Sequence, residues 1–325
     1  MKKHIFIFLF LFPWFAAYSQ INLVPNPSFE EYDSCPTNGS TPGDPQFEHC
    51  KYWYLPTEGT ADYFNVCAPA IAVQIPTNFA GFQYPLDGNA YAGLFAIHIS
   101  SITPDNYREY IQTKLNKCLK QNQEYYFEFY VCRGEVQNIA IDKLGALFTS
   151  YPISRTDANP IIAQPQIENP HHNIITDSAH WTKISGTFTA EGGECYLTIG
   201  NFYSTEETDT IWYHPEWEDD YAYYYIDGIT LKEVDSYIKV PNVFTPNNDG
   251  FNDLFKVEQK SITKFNASIY NRWGEELFKW DDINKGWDGK HNGNDCAVGV
   301  YYYLINARGD DDKEYDLHEF FHLLR

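Results

Sequence analysis

Positive charge is scarce in this chain. Its 325 residues hold 23 Lys and Arg against 44 Asp and Glu, a formal net charge of −21. Such a surface repels phosphate backbones and anionic lipid, so nucleic acid and anionic membrane are excluded as partners. Long apolar runs are missing as well. The run from Ile5 to Phe12 is far shorter than the ~20 residues a membrane-spanning helix needs, and no transmembrane span is predicted. Helical periodicity is nearly absent. Most catalytic patterns are absent too: there is no G-x-S-x-G elbow, no Walker-type lysine loop and no G-x-G-x-x-G. None of the seven cysteines is spaced as C-x-x-C, which excludes that form of redox or zinc site. There is no internal repeat and no low-complexity tract.

What is present begins with a leader. Met1-Lys-Lys-His4 is basic, Ile5 to Phe12 is apolar, and Ala17-Tyr-Ser19 offers small residues where a signal peptidase reads. Residues 1–19 are therefore expected to be a signal peptide cut after Ser19. Its removal takes away Lys2 and Lys3 and no acid, so the exported chain is more acidic still. A strongly acidic exported chain is a plausible Ca²⁺ ligand. Export to an oxidising compartment permits disulfides. Cys35, Cys50 and Cys67 lie close together in a loop-rich stretch, and one bridge among them is expected, with its partners open. The odd count leaves at least one thiol unpaired within the chain.

The strand patterns divide the remainder into two β domains, 20–235 and 238–325, with the boundary near Val234–Tyr237. Between Glu124 and Cys132, Tyr125, Phe127, Phe129 and Val131 alternate with Tyr126, Glu128 and Tyr130. That is the period of a half-buried strand. Trp181–Ala190, Cys195–Phe202 and Tyr223–Leu231 read alike, rich in aromatic and β-branched residues. Asn106 to Leu119 fits a short helix or a strand. In the tail, Thr245-Pro-Asn-Asn-Asp-Gly250 is a turn. Phe265, Ala267 and Ile269 form the apolar face of a strand, Arg272-Trp-Gly274 turns the chain, and Val298 to Ala307 is a further strand. The fold class is all-β: a large N-terminal β-sandwich followed by a small Ig-like β-sandwich.

Several ordered motifs carry a resemblance. Val240-Pro-Asn-Val-Phe-Thr-Pro-Asn-Asn-Asp-Gly-Phe-Asn-Asp-Leu-Phe255, Ile269-Tyr-Asn-Arg-Trp-Gly274, Gly286-Trp-Asp-Gly289 and Gly299-Val-Tyr-Tyr-Tyr-Leu-Ile305 resemble the gliding-motility-associated C-terminal domain of Bacteroidetes. That domain is the type B sorting domain of type IX secretion. The resemblance implies delivery through the periplasm to the outer cell surface or the medium. It implies as partners the type IX translocon and its outer-membrane shuttle components. Asn22-Leu-Val-Pro-Asn-Pro-Ser-Phe-Glu30 at one end of the first domain and Tyr224-Tyr-Ile-Asp-Gly-Ile-Thr-Leu231 at the other are similar to galactose-binding-like jelly rolls, which include many carbohydrate-binding modules. This implies that the first and last strands are neighbours. It also implies a structural calcium held by Asn26, Glu30 and Asp227, although Gly228 stands where the family often has a second acid.

Four further features bear on chemistry. Phe202 to Tyr225 mixes Trp212, Tyr213, Trp217, Tyr221 and Tyr223–Tyr225 with many acids. Exposed rings stack on the apolar faces of sugars while acids bond the hydroxyls, so Trp212, Tyr213 and Trp217 are candidate ligand-binding residues, with possible glycan partners. Trp53, with Tyr54, Tyr63 and Phe64, is a second candidate cluster. His318-Glu-Phe-Phe-His322 matches H-E-x-x-H, but that zinc chemistry needs a helix. The tail reads as a strand, where residues four apart lie ~13 Å from each other. Asn247, Asp249 and Gly250 have EF-hand-like spacing, yet Lys256 stands where a bidentate Glu is required. His171, His172 and His180 form a histidine group that could take a metal. The expected function is a non-catalytic exported binding or adhesion protein. The alternatives are a secreted glycosidase or peptidase and a structural gliding or biofilm component.

Overall fold

A computed structural model describes residues 21–100, 106–213, 219–309 and 313–325. The leader expected at 1–19 and the candidate Trp217 lie outside the described residues. These contain strands and two short 3₁₀ turns, and no helix is long and apolar enough to cross a membrane. The ambiguous 106–119 stretch resolves as the strand Tyr110–Lys114.

Two five-stranded antiparallel sheets form the N-terminal sandwich. One runs Trp53–Tyr54, Tyr110–Lys114, Tyr196–Gly200, Gly145–Thr149, Ile167–Glu168. The other runs Thr182–Thr189, Glu124–Arg133, Asp219–Glu233, Ala90–Ser100, Asp62–Asn65. The first segment lies against the last strand as expected: the Leu23 N–H donates to Leu231 O at 2.9 Å. The alternation read in the sequence holds. Tyr125, Phe127, Phe129 and Val131 are buried while Tyr126, Glu128 and Tyr130 are only half-buried.

The Asp219–Glu233 strand does more than its pattern foretold, because both of its faces are covered. Tyr224 and Ile226 enter the core between the sheets. Tyr223 and Tyr225 enter a second cluster with Phe64, Val73, Ala80 and Tyr91, capped by the segment that crosses the sheet's outer face. Each buried hydroxyl then needs a partner. Tyr223 donates to Asp62 Oδ2 at 2.8 Å, Tyr225 to Asn78 Oδ1 at 2.6 Å and Tyr224 to Ile175 O at 2.9 Å. After Asp227 the strand is bulged. Gly228 sits at φ +63°, a backbone state that favours glycine.

One bridge among Cys35, Cys50 and Cys67 was expected, and Cys35–Cys67 forms it. A second, Cys118–Cys195, joins neighbouring segments and was not foreseen. Cys50, Cys132 and Cys296 stay free.

The tail forms a five-stranded sheet in the order Val243–Phe244, Glu314–Leu323, Gly299–Gly309, Ile262–Tyr270, Glu276–Trp280. The first pair is parallel and the rest are antiparallel. Trp287 is fully buried on the inner face, 5.5 Å from the Phe244 ring and 5.3 Å from the Tyr301 ring. Its Nε1 donates to Lys290 O at 2.7 Å. Phe255 and Phe321 stack beside it at 3.9 Å. Between the two units, Lys260 reaches Glu124 at 3.2 Å, and Ser236 and Tyr315 share a hydrogen bond of 2.9 Å.

Trp287→Ala removes the centre of the small core and leaves the Lys290 carbonyl without that donor. We expect a loss of about 3–5 kcal/mol in the stability of the tail, read from its denaturant midpoint.

Candidate binding cleft and the polar interior

The strands Ile139–Ile141 and Thr210–Trp212, distant in sequence, pair antiparallel as a separate two-stranded ladder, with Trp212 opposite Ile139. The Tyr213 N–H donates to Asn138 O at 3.0 Å. Trp212 and Tyr213 are 37% and 41% exposed. The Arg133 guanidinium lies 4.5 Å from the centre of the Tyr213 ring and backs one of its faces. Arg133 itself is pinned to the carbonyls of Gly134, Gln137 and Thr176. The Trp212 indole N–H is held by Thr210 Oγ1 at 3.0 Å. Both rings are therefore oriented and wet.

An open cleft of about 330 Å³ is lined by Lys143, His171, Tyr203, Glu206, Glu207 and Asp209. Lys143 stands 4.3 Å from the Tyr203 ring centre. The Tyr203 hydroxyl donates to Glu168 at 2.6 Å, and burial, then that carboxylate, push Tyr203 up to about 12. Asp142 organises the rim from below. Its Oδ1 accepts the Asp209 N–H and its Oδ2 accepts the His172 N–H, each at 2.9 Å, and Oδ2 lies 2.9 Å from His171 Nδ1. His172 Nδ1 faces Asp209 Oδ2. His180 turns instead to Asp177, at 3.3 Å.

The other sequence candidates fall elsewhere. Trp53 is a correction: it is buried, 5.1 Å from Phe29, with its Nε1 donating to Asn26 O, so no ligand can stack on it. Tyr63, Phe64 and Tyr223–Tyr225 are buried in the same way. Glu30 and Asp227, two of the calcium candidates, both face the 86–89 loop. Asp227 accepts the N–H groups of Leu86, Asp87 and Gly228. Glu30 accepts that of Asn89 at 2.6 Å. Gly88, at φ +69°, is what lets Glu30 approach: a Cβ there would stand 2.3 Å from its carboxylate. Asn26 bonds the backbone of Glu31 and Lys51. Burial pushes Asp227 up to about 7 against the pull of its three amide donors.

The tail motifs settle plainly. His318 and His322 lie on the strand Glu314–Leu323, so the zinc-protease geometry is absent there. Asn247, Asp249 and Asp253 bond the backbone of their own turn: Asp253 takes the N–H groups of Asn247, Asn248 and Gly250.

A glycosidase of the two-carboxylate kind would need reachable acids, and the acids with the most perturbed environments are sealed inside. Asp62 and Glu109 are buried. Asp62 accepts from the Ser40 N–H and the Tyr223 hydroxyl, both at 2.8 Å. Glu109 accepts from Tyr107 at 2.6 Å, from the Phe95 N–H at 2.7 Å and from Thr60. Burial raises both above the usual carboxylate range, and for Asp62 the charge of Glu109 adds to it. The pair braces the sandwich and is closed to substrate.

Comparison with known proteins bears on the tail. Residues 238–321 match the CHU_C Type IX secretion signal domain, as the sequence resemblance implied. The chain thus carries a type IX sorting signal and is exported to the cell surface or the extracellular medium. No curated protein matches the chain. Among solved structures, the K3 cleaved adhesin domain of Lys-gingipain from Porphyromonas gingivalis aligns over 53% of this chain and 91% of its own, at 12% identity and a TM-score of 0.29. The adhesin domain of Epf from Streptococcus pyogenes aligns over 94% and 97%, at 12% identity and 0.31. The CBM22-1–GH10 modules of a Clostridium thermocellum xylanase, complexed with xylohexaose, align over 50% and 29%, at 12% identity and 0.28. These likenesses are distant, and no function passes from them to this chain.

The raised carboxyls set a pH dependence. Above about pH 4 the unfolded chain has lost these protons while the folded chain keeps them, so the folded state binds more protons and stability falls as pH rises. Asp62→Asn should make that fall shallower between about pH 5 and about pH 8, measured as the shift in urea midpoint; an unchanged slope would show that Asp62 is ionised in the fold.

Proposed function

We propose that this exported chain is a non-catalytic binding protein. Residues 20–235 form an adhesion module for carbohydrate, and residues 238–325 are read by the type IX translocon and its outer-membrane shuttle. The observation that carries the binding half is the pair Trp212 and Tyr213, half-exposed at the end of a paired strand that begins one residue after Asp209, which with Glu206 and Glu207 lines an open cleft. Flat apolar rings next to a few fixed acceptors are what a sugar face and its hydroxyls require. The sealing of Asp62 and Glu109 favours binding over glycosidase chemistry at those acids.

A second reading, a structural surface component, is favoured by the apolar stripe of Val300, Tyr302, Leu304 and Phe320. These are all exposed on the outer face of the tail sheet. Self-association of the secreted chain that is lost in Tyr302→Ser with Phe320→Ser, in the absence of glycan binding, would move the assignment to that reading.

The secreted chain applied to a glycan array should retain at least one class of oligosaccharide. Trp212→Ala should weaken that binding about tenfold or more, the scale on which truncating an interface aromatic acts. If no glycan is bound, the module is not a lectin. For the tail, a reporter fused to residues 238–325 should leave the periplasm of a host with a working type IX system; retention there would reject the boundary.

A further inference from the structure

Two consecutive side chains in a loop normally diverge. In this molecule the imidazoles of His171 and His172 lie face to face, with ring centres 3.6 Å apart and planes inclined by 30°. The backbone does this. His172 sits at φ +65°, a left-handed conformation that a non-glycine residue adopts at a cost. The turn is held there by two buried side chains. Asn169 Nδ2 donates to Asp142 O and to Asn173 O, each at 2.7 Å. Asp142, whose side chain is wholly buried, accepts the His172 N–H and bonds His171 Nδ1, both at 2.9 Å. Asp209 then reaches His172 Nδ1 from just before the Thr210–Trp212 strand, its own N–H fixed on Asp142.

We infer that His171, His172 and Asp209 form a binding site for a borderline divalent cation of the zinc class. One nitrogen of each ring and one carboxylate oxygen of Asp209 all lie within 4.8 Å of one another. Two imidazoles and a carboxylate are a donor set that zinc takes and that calcium, which wants six to eight oxygens, does not. Both rings are open to solvent, His171 at 50% and His172 at 74%, so an ion can enter. Glu206 and Glu207 line the same cleft and offer further oxygens beside water. Asp142 is a positioning residue. A buried carboxylate on the far nitrogen of a ligating imidazole fixes ring orientation and raises its basicity, as supporting carboxylates do in metal sites. His180, turned to Asp177, takes no part.

The site differs from the calcium group Asn26, Glu30 and Asp227 expected from the sequence, and it does not depend on the cleft taking a sugar. Zn²⁺ titrated into the secreted chain by calorimetry should bind at one equivalent. His171→Ala should weaken it at least about tenfold and His171→Ala with His172→Ala should abolish it, while His180→Ala leaves it unchanged. Asp142→Asn should weaken it by about 10- to 100-fold, the range seen when a supporting carboxylate is lost. Co²⁺ in place of Zn²⁺ should give visible absorption bands that vanish in the double variant, and thermal unfolding without metal verifies that each variant folds. No uptake of Zn²⁺, or uptake that survives loss of both histidines, overturns the inference. So does Ca²⁺ bound equally well with both rings removed, which would mark an acidic surface only. Zinc uptake without glycan binding would leave this site standing and remove the lectin reading.

Discussion

The strand Asp219–Glu233 is the member on which the rest of the first domain depends. It is hydrogen-bonded on both edges, to Glu124–Arg133 and to Ala90–Ser100. Its side chains also supply two separate cores, because successive residues of a strand point to opposite faces. Tyr224 fills the space between the sheets, and Tyr223 and Tyr225 anchor the covering segment outside. A one-residue slip would exchange these roles and leave three hydroxyls without their partners at once, so the register is set by polar as well as apolar demand. The bulge at Asp227–Gly228 has a related use. It frees the Ile229 N–H to take Pro27 O, which fastens the start of the domain to its end.

Much of this was legible in the sequence where periodicity carried it. The alternation of Tyr125, Phe127, Phe129 and Val131 named both the strand and its buried face. The turn at 245–250 was readable from its Pro, Asn, Asp and Gly, and the strand at 314–323 from the polar turn residues before it that send it back along Tyr301–Ala307, although Leu317, Phe320, Phe321 and Leu324 also fit helical spacing. Other features escaped because they are long-range. Nothing around Tyr223–Tyr225 reveals that a distant segment will cover the outer face of their sheet, so rings that read as exposed proved to be core. Trp53 failed alike: it reads as one ring in an aromatic run with Tyr52 and Tyr54, but Phe29 and the Asn26 carbonyl reach it from elsewhere in the chain. The histidine cluster was half-visible. The residues stood out, but their convergence rests on a left-handed turn and on Asp142 and Asp209, which no local pattern joins to them.

The molecule separates its acids into two populations. Most lie on the surface, where they account for the negative charge and for solubility after export. A few, Asp62, Glu109, Asp142 and Asp227, are buried and hold backbone amides or hydroxyls in place. This division explains why counting carboxylates in the sequence points nowhere in particular. The buried acids do structural work inside loops and strands, and the acids Glu206, Glu207 and Asp209 line a cleft open to solvent.

The spare thiols have a consequence for how the chain matures. Cys50 lies in sequence between the two halves of the Cys35–Cys67 bridge, and burial holds its thiol far above its ordinary range; the Cys132 thiol is likewise raised, to about 12. Thiolate is the species that attacks a disulfide, and here almost none exists at neutral pH. Once Cys50 is enclosed, the neighbouring crosslink can no longer be scrambled by it. Two of the three spare sulfurs, ordinarily a hazard for a protein sent into oxidising surroundings, are thereby made inert by packing, while Cys296 in the tail is only part-buried.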